Sequence, residues 1–181
     1  MPAPSLLVRN STPADLAAVH AIYAHAVQHG TGTFEIEPPS PEELARRRDE
    51  VLARGLPWLV AEADGVVSGY AYAAPFRPRP AYRFTLEDSI YLAPDAQGRG
   101  IGRLLLAELL ARGQASGARQ MLAVIGDSGN QASVALHRAL GFRPAGKLNS
   151  VGWKFGRWLD VVLMQRALGP GELSPAPEAR A

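Results

Sequence analysis

The chain has 181 residues, of which 47% are hydrophobic, so it is long enough to form one substantial hydrophobic core and too short to form two. Its net charge is only +2, and neither a basic stripe nor a run of roughly 18 apolar residues is visible, which excludes typical nucleic-acid-binding and membrane-spanning proteins. Cysteine is absent and the N-terminus lacks the pattern of a signal peptide, so we predict a cytoplasmic protein without disulfides or thiolate metal sites.

Two helices are predicted in the N-terminal part of the chain. Thr12 and Pro13 are typical of a helix cap and first turn, and apolar residues then recur at spacings of three and four to about Gln28. Ser40 begins a second helix in the same way, and the charged sequence up to Gly55 predicts that this helix is largely exposed. The first helix carries three histidines, but no cysteine or carboxylate accompanies them, so no metal site is expected.

Strands are predicted in the middle of the chain. The run from Trp58 to Ala74 contains the turn pair Asp64-Gly65 and predicts a β-hairpin. Pro75 to Pro80 predicts a loop, because three of its six residues are prolines, which lack the N–H that a strand ladder needs. The next predicted strand is Thr85 to Leu92.

Helices and strands alternate in the second half. Beyond a glycine-rich segment we predict a helix from Ile101 to Arg112, a strand at Met121 to Ile125, a helix at Gln131 to Leu140 and a strand at Trp158 to Gln165. The order of elements indicates an α/β domain, residues 1–168, with one mixed sheet. The tail, residues 169–181, has three prolines and no apolar pattern, which predicts disorder.

The glycine-rich segment is Gln97-Gly98-Arg99-Gly100-Ile101-Gly102, between a predicted strand and a predicted helix. Alternate glycines let backbone approach a ligand closely, and the free N–H groups of a helix start attract anions, so a phosphate-bearing ligand is indicated. An ordinary crossover can contain the same turn. A nucleotide P-loop would end in Gly-Lys-Ser/Thr, whereas Arg103 follows here, and the glycine spacing also disfavours a dinucleotide fold.

The same segment, Gln97 to Gly102, matches the Q/R-x-x-G-x-G/A signature of the GNAT acetyltransferases, and the chain resembles that superfamily from about Val8 to Gln165. Asn130 to His137 resembles the N-x-x-S/A-x-x-x-Y stretch of the family, with histidine where many members have tyrosine. Glu87 to Leu92 and Lys154 to Asp160 resemble the phosphinothricin acetyltransferase branch. The resemblance implies the GNAT fold, in which one mixed, mostly antiparallel sheet is flanked by helices.

The resemblance also implies that acetyl-CoA is the co-substrate and that no metal takes part. The pantetheine arm would lie along Ile90, Tyr91 and Leu92, with the backbone N–H of Leu92 donating to the thioester oxygen. Asn130 and Ser133 would contact the arm nearer its reacting end. The pyrophosphate would be bound by Gln97, Gly98, Arg99, Gly100, Ile101, Gly102 and Arg103.

Two catalytic residues are implied by the same resemblance. Glu87 would be the general base that removes a proton from the acceptor amine. His137 would protonate the departing thiolate, relay a proton, or serve only as a hydrogen-bonded structural residue, and the sequence does not separate these. Substrate-binding candidates are Arg77, Arg83, Phe34 and Lys154.

The predicted function is therefore acetyl transfer to the amino group of a small amino-acid-like acceptor of the phosphinothricin, methionine sulfoximine or methionine sulfone type. Alternatives are an acetyltransferase for another small amine or a protein N-terminus, and a non-catalytic acetyl-CoA-binding domain. Resemblance to this branch also implies a homodimer.

Overall fold

Seven strands and four helices make up residues 6–176, the part of the chain that the computed structural model describes. The strands are β1 (Leu6–Asn10), β2 (Trp58–Ala63), β3 (Val66–Pro75), β4 (Thr85–Leu92), β5 (Gln120–Gly126), β6 (Arg143–Lys154) and β7 (Arg157–Ala167). The helices are α1 (Leu16–His29), α2 (Pro41–Ala53), α3 (Ile101–Ala115) and α4 (Gln131–Ala139). Short 3-10 helices occupy Pro13–Asp15, Pro80–Tyr82 and Pro94–Ala96.

All seven strands belong to one sheet with the order β1-β2-β3-β4-β5-β7-β6. Only β4 and β5 pair in parallel, and α3 is the crossover between them. The predicted single mixed, mostly antiparallel sheet flanked by helices is thereby confirmed.

The sheet separates two hydrophobic cores. On one face α3 packs against residues such as Leu86 and Met121, and on the other α1 and α2 cover a cluster that includes Trp58 and Tyr70. Because side chains alternate along a strand, Glu87 and its neighbour Asp88 lie on opposite faces of β4.

Strands β4 and β5 diverge soon after they meet. Their parallel ladder joins Thr85–Asp88 to Gln120–Ala123, in four residue pairs. Beyond Asp88, β4 continues beside β3 alone, while β5 continues beside β7 alone. The divergence opens a cleft in the middle of the sheet.

Strands β1 and β6 are additional to the predicted elements. β1 is only five residues long and pairs with β2, so tertiary pairing stabilises a segment with no clear local signal. β6 is one of the two edge strands, and ten of its twelve residues are exposed in a sequence without apolar alternation. Its ladder with β7 is interrupted twice, between Pro144 and Gly146 and between Leu148 and Gly152.

The described part of the C-terminal tail lies against the domain. Arg119 donates hydrogen bonds to the Gly171 and Pro175 carbonyl oxygens and to Ser174 Oγ. The disorder predicted for residues 169–181 stays a prediction, and its last five residues, 177–181, lie outside the described residues. Within residues 6–176 none of the helices is long and apolar enough to cross a membrane.

Candidate active site

The cleft between β4 and β5 is a cavity of about 570 Å³. Its walls are the diverging strands, the C-terminal half of α1, the start of α4 and the beginning of the glycine-rich segment. Of the predicted cofactor residues, those that line it are Ile90, Tyr91, Leu92, Gln97, Gly98, Asn130 and Ser133. His137 lines it as well.

The backbone of β4 offers free hydrogen-bonding groups to this cavity. Ala93 N donates to Ser68 O, and Phe76 N donates to Thr85 O, so the odd-numbered residues of β4 direct their backbone groups at β3. Because this direction alternates along a strand, the N–H and C=O groups of Ile90 and Leu92 face the other way, toward the cleft. Both residues lie beyond the last pair of the β4–β5 ladder.

The glycine-rich segment turns sharply into α3. Gly98 and Gly100 have φ angles of +71° and +79°, a left-handed conformation that favours glycine. α3 begins directly afterwards, so its free N–H groups lie at the end of the cleft. The side chains of Arg99 and Arg103 are exposed beside it.

Two other residues of this segment have packing contacts. Ile101 is buried in the core. Gly102 is also buried, and a Cβ placed there would lie 3.4 Å from the side chains of Leu92 and Leu136. Close packing of α3 on the sheet therefore accounts for this last glycine, and its contact with a ligand stays a prediction.

Asn130 and Ser133 form the start of α4. The Asn130 side chain accepts a hydrogen bond from Ser133 N at 3.2 Å and so caps the helix. Ser133 O in turn lies 2.7 Å from His137 Nδ1. The helix cap and the histidine are therefore coupled through one turn of α4.

His137 is 2% exposed and pairs with an equally buried carboxylate, Asp88. His137 Nε2 lies 2.9 Å from Asp88 Oδ2, and Phe142 packs edge-on against the imidazole ring. Burial lowers the pKa of His137, but the hydrogen bond to Asp88, the charge of Asp88 and the hydrogen bond to Ser133 O together raise it more, so the net direction is upward. Both ring nitrogens thus have protein partners.

Glu87 is half-buried on the other face of β4. Burial and the nearby charge of Asp88 raise the pKa of Glu87, while the positive charge of Arg77 lowers it by a smaller amount. A carboxylate with a raised pKa is a better proton acceptor than an exposed one, which suits the role predicted for Glu87.

The two candidate arginines differ in their surroundings. Arg77 is exposed, lies over the ring of Phe76 at 5.0 Å and acts electrostatically on Glu87. Arg83 donates a hydrogen bond to Pro80 O at 3.3 Å and lies over the ring of Phe84. Of the two, only Arg77 is therefore linked to Glu87 in this arrangement.

Phe34 and Lys154 belong to a loop contact at the side of the cleft. The Phe34 ring packs so closely on β6 that a Cβ at Gly152 would approach it to 2.2 Å. Lys154 is 3% exposed and donates hydrogen bonds to the carbonyl oxygens of Gly30 and Thr33, both at 2.9 Å. Lys154 thus fixes the loop after α1, and its direct contact with an acceptor stays a prediction.

Asp127 and Arg157 hold the same loop. Asp127 accepts hydrogen bonds from Thr31 Oγ1 and from Arg157 Nη2, each at 2.8 Å. Both the backbone N–H of Gly129 and these side chains lower the pKa of Asp127. The loop between α1 and α2 is therefore tied to the far side of the cleft.

Asp88 and two histidines of α1 are further cavity residues that the sequence analysis did not select. His25 and His29 line the wall opposite α4, with ring centroids 4.5 Å apart. A signal for Asp88 was present, because an acidic residue alternates with the apolar residues Leu86 and Ile90 on one face of a strand. Among residues 6–176 no group of three or more His, Cys, Asp or Glu could hold a metal ion.

Comparison with known proteins identifies close relatives of this chain. It is 59% identical to a phosphinothricin N-acetyltransferase of Alcaligenes faecalis, over 87% of this chain and 80% of the relative. It is 42% identical to an L-methionine sulfoximine/L-methionine sulfone acetyltransferase of Pseudomonas paraeruginosa, over 94% of this chain and 99% of the relative. The resemblance to this branch that the sequence motifs indicated is confirmed.

A solved structure extends the similarity to three dimensions. The phosphinothricin acetyltransferase of Sinorhizobium meliloti, in complex with acetyl-CoA, superposes with a TM-score of 0.92 at 48% identity, covering 96% of this chain and 94% of the other. The model of the acetyltransferase (GNAT) family matches residues 18–142, which is more than half of the chain. The chain therefore belongs to the GNAT family of acetyltransferases.

Proposed function

We propose that this protein is an acetyl-CoA-dependent N-acetyltransferase that acts on the amino group of a small amino-acid-like acceptor. The observation that carries the proposal is the cleft, which joins a free strand edge at Ile90 and Leu92 to a glycine-rich helix start. The amide groups of pantetheine can pair with such a strand edge, and a diphosphate can bind to such a helix start. The cytoplasmic location of the protein stays a prediction.

The direction of the bound co-substrate follows from the order of these features. The glycine-rich segment follows Leu92, so an arm that begins there passes Leu92, then Ile90, and ends near Asp88. We therefore assign the thioester oxygen to the N–H of Ile90 instead of that of Leu92. In this pose Gly98 and the first turn of α3 bind the pyrophosphate, and Arg99 and Arg103 add positive charge.

The acetyl transfer requires one base and one acid. Glu87, directly or through a water, removes a proton from the acceptor ammonium, and the freed nitrogen attacks the thioester carbon. Attack gives a tetrahedral intermediate with a positively charged nitrogen and a negatively charged oxygen. When the carbonyl forms again the C–S bond breaks, the nitrogen gives up its second proton, and the departing thiolate of CoA gains one proton, so that an amide and a free thiol are the products. Donation by Ile90 N–H stabilises the negative charge that develops on the carbonyl oxygen.

His137 is the candidate that supplies the proton to the thiolate, and a structural role is its alternative. His137 lies in the wall of the cleft, and its raised pKa supports a proton-carrying role, whereas its two protein partners support a structural one. For direct donation, the N–H at Nε2 of His137 would have to break its hydrogen bond with Asp88 and point to the thiolate.

The acceptor is proposed to be an amino acid with a second oxygen-rich group on its side chain. The relatives are named for phosphinothricin, methionine sulfoximine and methionine sulfone. Arg77 supports this class, because its exposed guanidinium lies near Glu87 and matches the geometry of carboxylate, phosphinate or sulfonyl oxygens. Phe34 is proposed to close the site over the side chain.

Replacing Arg77 with glutamine should raise the Michaelis constant for such acceptors by on the order of tenfold, because one charge-assisted contact is lost. The constant for acetyl-CoA should stay the same. Steady-state kinetics with phosphinothricin and methionine sulfone, monitored by thiol release, measure both. Arg79→Gln, an exposed arginine on the same loop, is the matched control.

The same thiol-release assay tests the proposed function as a whole. Acetylation of phosphinothricin or methionine sulfone should exceed that of spermidine, aminoglycosides or peptide N-termini. The opposite order would overturn the acceptor class and favour another amine, and binding of acetyl-CoA without turnover of any acceptor would favour a non-catalytic domain.

We also propose a homodimer that uses an apolar patch on the β6–β7 hairpin. Trp153, Phe155 and Trp158 are 55–61% exposed there, and the two tryptophan rings lie 5.1 Å apart. Leu148 and Val151 extend the patch along the same edge strand. A second copy is the proposed occupant, because one copy offers another both an identical apolar patch and an identical free sheet edge.

Trp158→Glu should shift the protein from dimer to monomer, because it places a charge in the apolar contact. Sedimentation equilibrium should give twice the 19.3 kDa chain mass for the unaltered protein and the single mass for the variant. Leu173→Glu, at an apolar residue that is 90% exposed elsewhere, should remain dimeric. A monomeric unaltered protein would contradict the proposal.

A further inference from the structure

Asp88 has one carboxylate oxygen that no residue among 6–176 satisfies. The side chain is 2% exposed and lies in the wall of the cleft, at the point where the β4–β5 ladder ends. Oδ2 pairs with His137, but Oδ1 is buried without a hydrogen-bond partner among the described residues. A buried, unpaired carboxylate oxygen is costly, so a ligand that enters the cleft and carries a donor would satisfy it.

The hydrogen bonds of His137 define where its protons lie. Ser133 O can only accept, so His137 Nδ1 carries a hydrogen. A carboxylate oxygen accepts hydrogen bonds, so the ring form that serves both partners carries a hydrogen on Nε2 as well and is an imidazolium. Asp88 is the charged group in direct contact with the ring, while His25 and His29 line the opposite wall and Glu87 is on the other face of β4.

We propose that Asp88 is a positioning residue for acetyl-CoA, in which Oδ2 holds the protonated ring of His137 and Oδ1 accepts the amide N–H of the pantetheine arm beside the thioester. This inference rests on the proposed function and adds a contact to it. The other contacts proposed for the pantetheine arm come from the backbone of β4 and from residues of α4.

The position of Asp88 supports this contact. An arm that passes Leu92 and Ile90 reaches Asp88 next, and Ile90 shares a strand face with Asp88. Acetyl-CoA carries an amide two carbons from its sulfur, so a thioester held at Ile90 brings an N–H donor into this part of the cleft. An imidazolium at His137 would balance the negative charge of Asp88 in this buried wall.

Replacing Asp88 with asparagine should weaken acetyl-CoA binding by on the order of tenfold, because a neutral acceptor replaces a charged one. Isothermal titration calorimetry measures the change. The comparison ligand is 3′-phospho-ADP, the nucleotide part of CoA, which lacks the pantetheine arm. Its affinity should not change in Asp88→Asn. Asp49→Asn, an exposed aspartate on α2, is the control for loss of one carboxylate and should bind both probes as before.

Nitrogen-15 NMR of the His137 ring provides a second measurement. A role of Asp88 in packing alone would not change the protonation of this ring. In the unaltered protein both ring nitrogens should be protonated at neutral pH, and in Asp88→Asn the Nε2 hydrogen should be absent. This measurement on the unaltered protein also tests the pair if the variant fails to fold.

The outcomes separate the inference from the function on which it rests. Unaltered protein that does not bind acetyl-CoA contradicts the proposed function itself. If the unaltered protein binds acetyl-CoA and Asp88→Asn binds it equally well, the contact with the arm is wrong. The contact is also wrong if Asp88→Asn loses affinity for 3′-phospho-ADP by the same factor as for acetyl-CoA. A neutral His137 ring in the unaltered protein at pH 7 would overturn the charged pair.

Discussion

Glu87→Gln should lower the turnover number by on the order of 10²-fold or more while the affinity for acetyl-CoA stays nearly constant. Glutamine keeps the shape of the side chain but cannot accept the proton of the acceptor ammonium. Initial rates at saturating acetyl-CoA, together with calorimetry of acetyl-CoA binding, separate the two quantities. Glu62→Gln replaces a partly buried glutamate that forms an ion pair with Arg9 away from the cleft and serves as the control.

The pH dependence of the rate is a sharper test of the same role. Because burial and Asp88 raise the pKa of Glu87, the acid limb of kcat/KM should lie at a higher pH than an exposed glutamate would give. The rate depends on the ionised base, so it falls as the pH falls through this raised pKa. Arg77 lowers the pKa, and Arg77→Gln should therefore move the limb to still higher pH.

Two results would argue against Glu87 as the base. One is a glutamine variant with unaltered turnover across the pH range. The other is an acid limb that persists unchanged in Glu87→Gln, since the limb would then belong to another group, such as the acceptor amine.

Gly100→Val should weaken acetyl-CoA binding by on the order of 10²-fold, the equivalent of two lost charge-assisted hydrogen bonds. Gly100 has a φ of +79° directly before α3, and a β-branched residue does not adopt this conformation without strain. The backbone must therefore rotate, which turns the N–H groups of the segment away from the phosphates. Calorimetry with acetyl-CoA and with 3′-phospho-ADP should show the same loss.

Gly117→Val is the matched control for backbone strain. Gly117 has a φ of +91° after the end of α3, and a Cβ there, as at Gly100, would meet nothing within 4 Å. Both variants should lower the melting temperature, but only Gly100→Val should lose affinity. Equal affinity in the two folded variants would contradict the role of the glycine-rich segment.

The elements that the sequence predicted correctly have strong local signals. The Asp64-Gly65 pair is the turn of the β2–β3 hairpin, and Asp64 has the positive φ that such a turn requires. Ser40 caps α2 through its side chain, as predicted. Gly98 and Gly100, in the predicted glycine-rich link between strand and helix, have left-handed conformations that glycine adopts without strain.

Features that depend on distant contacts could not be read from the sequence. β6 has mostly exposed residues, so its pairing with β7 leaves no apolar period. The Asp88–His137 pair joins residues 49 positions apart, and the sequence around either residue does not indicate that the other is its partner. Lys154 is separated by more than 120 positions from the carbonyl oxygens that it binds, so its contact with the loop after α1 has no local sequence signal.

The loop after α1 bridges the diverging strands of the sheet. Its Gly30 and Thr33 carbonyl oxygens bind Lys154 at the end of β6, and Thr31 binds Asp127 at the end of β5, so the N-terminal half of the molecule is fastened to the C-terminal half across the gap. Parting the two halves would break these bonds and leave the Lys154 ammonium buried without acceptors. The loop therefore holds β4 and β5 at a fixed separation, and we expect the cleft to keep its shape whether or not a co-substrate is bound.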